Sequence, residues 1–305
     1  MPRTLIAFLL LALLSPIAAQ EQAKHEATSL LGQPLDPPQL SAEQRARLEG
    51  DLAQARADYE KNPGAADAII WLGRRTAYLG HFREAIAIFS DGIRRHPGDA
   101  RLYRHRGHRY LTVRQLDRAI ADFEKAAALI AGQPDQVEPD GQPNAQNIPT
   151  STLQSNIWYH LGLAHYLQGE FAKSAEAFSK CLQVARNDDN LVAASNWLYL
   201  ALARQGRSAE AQEVLAPIHK DLKVIENHAY HTLLRMHQGE IAPQAVLASA
   251  QDDLDRATLG YGVGAWHLLR GDRAQAEKIF RNIVNGPLWP AFGHLAAEAD
   301  LASSR

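Results

Sequence analysis

Gly73, Ala85 and Phe89 recur 34 residues later as Gly107, Ala119 and Phe123. The same set returns as Gly162, Ser174 and Phe178, then as Gly264, Ala276 and Phe280, and Ala211 with Leu215 keeps the same four-residue step. Self-similarity at a fixed period means stacked units, each too small to bury its apolar face alone. A second glycine series, Gly80, Gly169, Gly206, Gly239 and Gly271, marks where one helical pattern ends and the next begins. From Ile69 to Leu79 and from Phe82 to Ile93 the apolar residues fall at helical period, and Gly80 between them permits the positive φ of a helix C-cap. The unit is therefore an αα-hairpin. Gly73, Gly107 and Ala85 let its helices approach closely, and Phe89 and Phe123 fill the seam. Pro63 and Pro97 stop second helices, and Pro243 sits in a first turn, where its missing N–H costs nothing. No segment shows sustained strand alternation, so the fold class is all-α.

Ile69-x2-Leu72-Gly73, Tyr103-x3-Gly107-x2-Tyr110 and Trp158-x2-Leu161-Gly162 give a first-helix signature, and Ala85, Phe89 and Pro97 a second-helix one. In these residues the chain resembles the tetratricopeptide repeat (TPR) family. The resemblance implies a right-handed α-solenoid of six repeats, roughly 66–99, 100–133, 155–188, 192–225, 225–256 and 257–288. It weakens over 192–256, where Tyr199 and Thr232 replace the glycine and Gln244 the alanine. The expected order is an extended segment (20–40), an N-terminal helix (41–65) opened by the Ser41-x-x-Gln44 capping box, and two repeats (66–133). A Pro/Asn-rich loop (134–152), four repeats (153–288) and a C-terminal capping helix (289–305) follow, the last carrying Trp289-x2-Phe292-Gly293-x2-Ala296.

The first residues read differently from the repeats. Arg3, the apolar run Leu5 to Leu14 and the small residues Ser15 to Ala19 form a secretory leader over 1–19, with cleavage expected after Ala19. The run is too short to cross a bilayer, and no cysteine lies near the cut for a lipid anchor. The mature chain is expected in a periplasm or outside the cell, with no integral membrane span. A formal charge of −2 and 46% hydrophobic residues exclude disorder and a polytopic membrane protein. A single cysteine, Cys181, excludes an internal disulfide and a Cys-rich zinc module. It falls at a small inward position of the third repeat and reads as a packing residue.

Residues 131–152 break the period: Pro134, Pro139, Pro143 and Pro149, with Gly132 and Gly141, cannot propagate a helix. Val137, Ile148 and Leu153 are candidate apolar anchors for an ordered loop that covers one end of the groove.

Between Arg94 and Arg118 stand eight arginines against Asp99 and Asp117, a local excess of six positive charges. In proteins similar to this one, the first helix of each repeat lines the concave groove. Carried over position by position, Arg74 and Tyr78, then Arg101, Arg104, His105 and His108, then Asn156, Tyr159, His160 and Tyr166 face a ligand. The binding set taken from these is Arg74, Arg101, Arg104, His105, His108, Asn156, Tyr159 and His160. Rings beside guanidiniums suit an extended peptide or a carboxylate held bidentately. The competing reading pairs these arginines with acidic side chains and makes the rings, Trp197 and Tyr230 included, ordinary packing.

Some family members grip a C-terminal carboxylate with a Lys, Asn, Asn, Lys, Arg set. Here Ile70, Arg74, His105, Asn156 and His160 hold those positions, so that specificity does not carry over. Export argues against a nucleic-acid partner. His105/His108 and His228/His231 are spaced to share a helix face, yet no third ligand completes a zinc set, and Glu226 with His228 and His231 is the weak remaining candidate. The Gly260-Tyr261-Gly262-Val263-Gly264 run aligns inside a repeat helix and lacks the strand a phosphate loop follows. The reading is a non-enzymatic, cofactor-free exported adaptor that binds a protein or peptide partner. The alternatives are an envelope glycan- or small-molecule-binding protein and a metal-dependent hydrolase.

Overall fold

The computed structural model describes residues 25–303; the leader expected over 1–19 lies outside them. The described residues hold a two-residue antiparallel ladder, β1 (Ala27–Thr28) with β2 (Pro34–Leu35), followed by fourteen helices. The ladder lies in the segment expected to be merely extended.

The first helix, α1 (Ala42–Lys61), starts at the reciprocal Ser41/Gln44 capping box. Six hairpins follow: α2 (Ala66–Tyr78) with α3 (Phe82–Arg95), α4 (Ala100–Thr112) with α5 (Leu116–Ile130), and α6 (Leu153–Leu167) with α7 (Phe171–Gln183). Then come α8 (Asp188–Arg204) with α9 (Ser208–Val214), α10 (His228–His237) with α11 (Pro243–Ala248), and α12 (Asp253–Leu269) with α13 (Arg273–Val284). The single helix α14 (Phe292–Ser303) ends the array. The degenerate stretch of sequence coincides with the short α9, α10 and α11.

The repeating triple makes the joint inside each regular hairpin. A Cβ on Gly73 would stand 2.5 Å from the Phe89 ring, one on Gly107 3.0 Å from Phe123, and one on Gly162 2.8 Å from Phe178. Gly264 closes on Phe280 in the same way. These four rings are at most 2% exposed, and burying each is worth roughly 1.5–3 kcal/mol. The turn glycines take φ between 74° and 87° at 80, 169, 206, 239 and 271. The second hairpin has Arg114 at that place, itself at φ 64°, a conformation that costs a non-glycine residue roughly 1–2 kcal/mol.

The array curls until its ends meet. Tyr261 on α12 donates its hydroxyl hydrogen bond within 2.8 Å of Tyr166 on α6, and Arg204 on α8 pairs with Asp300 on α14 at 2.7 Å. Glu298, 1% exposed, receives Arg114 in a fork (Nη2 to Oε1 2.6 Å, Nε to Oε2 3.1 Å), the Leu30 backbone N–H at 3.0 Å and His294 at 3.1 Å. Trp289 packs edge-on against Phe82 and donates its indole N–H to the Asp36 carbonyl at 2.7 Å. Thus α14 caps the last hairpin and also clasps the second one and the N-terminal segment.

The 131–152 insertion lies against the inner helices, but not by the anchors expected of it. Val137 and Ile148 are exposed, at 57% and 47%, and only Leu153 is buried. Polar contacts hold the loop instead. Glu138 N–H donates to the Ser151 carbonyl and Leu153 N–H to the Gln136 carbonyl, forming a bridge at Val137 and Thr152. Arg75 donates to the Gly141 carbonyl at 2.7 Å, and Thr150 and Asn144 both donate to Glu226.

Candidate functional site

Helical period places one residue per turn of α2, α4 and α6 on the inner face, and closure of the array brings those turns together. His108 and His160 lie tilted against each other with ring centroids 4.4 Å apart, and both lie against Phe292 of α14, at 5.7 and 5.6 Å. His105 stacks on Phe89 and accepts a hydrogen bond from Arg104 Nη1 through Nδ1 at 3.0 Å. Burial, reinforced by the neighbouring arginines, pushes His105, His108 and His160 well below the usual imidazole value. All three are neutral at neutral pH, so they act here as rings and hydrogen-bonding groups rather than as cations.

The guanidiniums beside them are crowded. Arg74, 8% exposed, lies over Trp71 and donates to the Tyr78 hydroxyl at 3.3 Å. Arg104, 7% exposed, meets a single carboxylate, Glu138 of the loop, at 3.0 Å, and its Nε has no protein partner. Burial drives the Arg104 guanidinium down in pKa, with Glu138 opposing and Arg74 adding to the effect. Burial likewise lowers Arg109 to about 10, and the charges of Arg104 and Arg74 contribute.

Arg101 does not join this cluster. It forks onto Asp99, which also caps α4, and reaches Asp67 of the preceding hairpin at 2.5 Å. The Asp99 hydrogen bond, with the Asp67 contact behind it, raises its pKa, so its charge is already matched.

Next to the histidines opens a cavity of about 350 Å³ lined by Asn156, Tyr159, His160, Glu226, Tyr230 and Phe292, among others. Asn156 donates to the Ser151 hydroxyl and gives its carbonyl to His160. The Tyr159 hydroxyl accepts from Trp197 Nε1 at 2.9 Å and lies 3.1 Å from the Tyr230 hydroxyl. Burial holds the Tyr159 phenol well above its usual pKa, which keeps it a neutral donor. Trp197 is 1% exposed and forms part of the core, whereas Tyr230 opens onto the cavity.

Arg74, Arg104, His105, His108, Asn156, Tyr159 and His160 therefore share one neighbourhood. Sequence reasoning missed Arg109, Glu138, Glu226 as a loop anchor, and Phe292. Arg109 stood in the arginine-rich run without being singled out, and Phe292 stood in the capping-helix signature.

The other candidates resolve simply. Glu226 holds the loop, while His231 contacts the His219 carbonyl at 2.9 Å, so the two do not converge on a metal position. Cys181 is 2% exposed, donates to the Ser155 carbonyl, and burial pushes its thiol up to about 12. Gly262 is closed by Leu233 and Gly264 by Phe280, so that glycine run serves helix packing.

Comparison with known proteins agrees with this architecture. The family model described as tetratricopeptide repeat matches residues 155–188. No curated protein matches the chain. Among solved structures, a tetratricopeptide repeat protein from Parabacteroides merdae is similar, with a TM-score of 0.50 and 15% identity over 83% of this chain and 93% of that one. BtubC from P. vanneervenii has a TM-score of 0.45 and 18% identity over 81% and 94%. YrrB, described as a TPR protein with an unusual peptide-binding site, has 0.43 and 16% over 81% and 97%. Residues 155–188 thus match the repeat model, and three further hairpins close a glycine under a phenylalanine in the same way.

Proposed function

We propose that this protein is an exported, non-catalytic scaffold that binds a protein or peptide partner on its concave face. The observation that carries the reading is the convergence of Arg74, Arg104, Asn156, Tyr159 and three neutral histidines beside an open cavity on the inner helices. Such a set offers hydrogen-bond donors and flat rings to an extended chain and holds no assembled nucleophile and base. A similar protein, YrrB, is described as having a peptide-binding site, which is consistent with this use of the fold. No helix among the described residues is long and apolar enough to cross a membrane.

Capture of partners with the tagged chain, alongside an Asn156→Arg variant whose long side chain fills the cavity mouth, tests the reading. Partner recovery is expected to fall at least tenfold in the variant, and undiminished recovery overturns the concave-face assignment. Export is tested by cell fractionation and N-terminal sequencing, with a mature start at Gln20 expected.

The cavity itself favours one second reading, a small polar ligand. Its volume of about 350 Å³ and its Tyr159, Tyr230 and Phe292 rings suit a sugar or a peptidoglycan fragment. A thermal-shift screen with such fragments is expected to give a saturable rise on this reading and none on the scaffold reading.

A further inference from the structure

Three guanidiniums, those of Arg74, Arg104 and Arg109, sit within electrostatic reach of one another on the inner face, two of them less than 9% exposed. Buried like charges at this density are strongly unfavourable without an anion between them. Among the described residues the helices supply none: no helical carboxylate forms an ion pair with any of the three. The negative charge that faces them comes from the inserted loop. Glu138 pairs with Arg104 at 3.0 Å and lies 3.9 Å from His105, and Asp140 is close enough to Arg74 to feel its charge. The fit is incomplete, because Arg104 Nε and Glu138 Oε2 are both buried without a protein partner. The loop is held by polar contacts rather than by an apolar core. Its larger apolar residues, Val137 and Ile148, face solvent, while the Glu138 ion pair, the Gly141 carbonyl, the Glu226 hydrogen bonds and the contacts of Asp135, Thr150 and Ser151 with Arg186, Asn187 and Asn156 fasten it.

We propose that Arg74, Arg104 and Arg109 form a seat for an acidic side chain of an extended partner segment, and that Glu138 of the protein's own loop occupies this seat as an intramolecular stand-in. The inference rests on the concave face being the partner-binding surface, and adds the partner's chemistry and a competition that regulates access. Glu138 sits in mid-chain, with the segment running on past it to Gly141 and Tyr78, so the seat takes an internal Asp or Glu rather than a chain end. The loop competes at the high effective concentration of a tethered ligand, typically millimolar. An acidic partner must therefore displace residues 134–150 to bind.

The test uses the full mature chain and two probes, both amidated at the C terminus: a fluorescent peptide of residues 134–142, and hexaglutamate. In Glu138→Gln, and separately in Gly141→Leu, whose side chain would collide with the Tyr78 ring and drive the loop off it, the peptide is expected to bind at least tenfold tighter than to wild type. The same peptide with Gln in place of its Glu is expected to lose that gain. In the unmutated protein, saturating hexaglutamate is expected to increase hydrogen exchange across 134–150, a readout that needs no variant to fold. Unchanged affinity in a folded variant, equal binding of the Gln peptide, or undiminished loop protection under hexaglutamate overturns the proposal. So does binding of inorganic phosphate that leaves the loop protected, since the seat would then take a free anion alone. Partner capture that is blocked by Asn156→Arg while the loop stays protected would remove this inference and leave the concave-face reading standing.

Discussion

Replacing Glu298 with Ala tests the closure of the array. The carboxylate is 1% exposed and receives the two-pronged Arg114 contact, the His294 ring and the Leu30 N–H. Removing it leaves the Arg114 guanidinium, 3% exposed, buried without a counter-charge, a change that costs about 3–5 kcal/mol. A second route gives the same scale. Although burial opposes it, hydrogen bonds from His294 and Arg114 pull the Glu298 pKa from 4.5 to about 2. At 1.36 kcal/mol per unit that is about 3 kcal/mol of stability. Because the folded value is the depressed one, this contribution is present above pH 4.5 and is lost as pH falls toward 2. Urea unfolding at pH 7 should show the loss, together with a fall in Tm of roughly 6–10 °C. Since the ends can part without the hairpins unfolding, hydrogen exchange at Leu30 and over α14 should rise before global unfolding does. A loss under about 1 kcal/mol with unchanged exchange at Leu30 would refute the claim that this ion pair fastens the ends.

Gly162→Ala and Gly264→Ala should each lower stability by about 1–3 kcal/mol through overpacking against Phe178 and Phe280, despite a helix-propensity gain of about 1 kcal/mol; a higher urea midpoint would contradict the joint described. Cys181, its thiol pushed up to about 12, should resist a thiol reagent at pH 8 until the protein is denatured, and stoichiometric labelling within minutes would show the site open. His105, His108 and His160 bind protons in the unfolded chain near pH 6.5 but not in the folded one, so stability should decline as pH drops below that value. A flat urea midpoint between pH 7 and 5 would contradict their burial.

The hairpins were legible because each joint requires a small residue under a large ring, and that steric demand repeats at a fixed spacing. The turn glycines were legible for the same kind of reason, a backbone conformation that other residues adopt only at a cost. The curl of the array was not, because it sums small rotations between neighbouring units that the period does not encode. Arg114 and Glu298 stand 184 residues apart, and nothing local links them. The one trace of their contact is that Arg114 occupies the place where every other hairpin has glycine. Within the site, Arg104 and the histidines followed from the repeat positions carried over from similar proteins, whereas Glu138 acquires its meaning only from a long-range partner. Of the apolar anchors expected of the loop only Leu153 is buried; Val137 and Ile148 face solvent, and polar residues hold the segment instead.

The clasp also fixes how many hairpins this protein can have. An open solenoid gains or loses a unit at its ends or middle with little effect on the rest, since each unit answers only to its neighbours. Here Glu298 reaches Arg114, and Trp289 reaches Phe82, only because six hairpins carry the C-terminal segment once round to the first two. Deleting or duplicating one 34-residue unit would carry the last helix past its partner or short of it. Repeat number, usually the freest variable in such arrays, is set in this chain by the fit of its two ends.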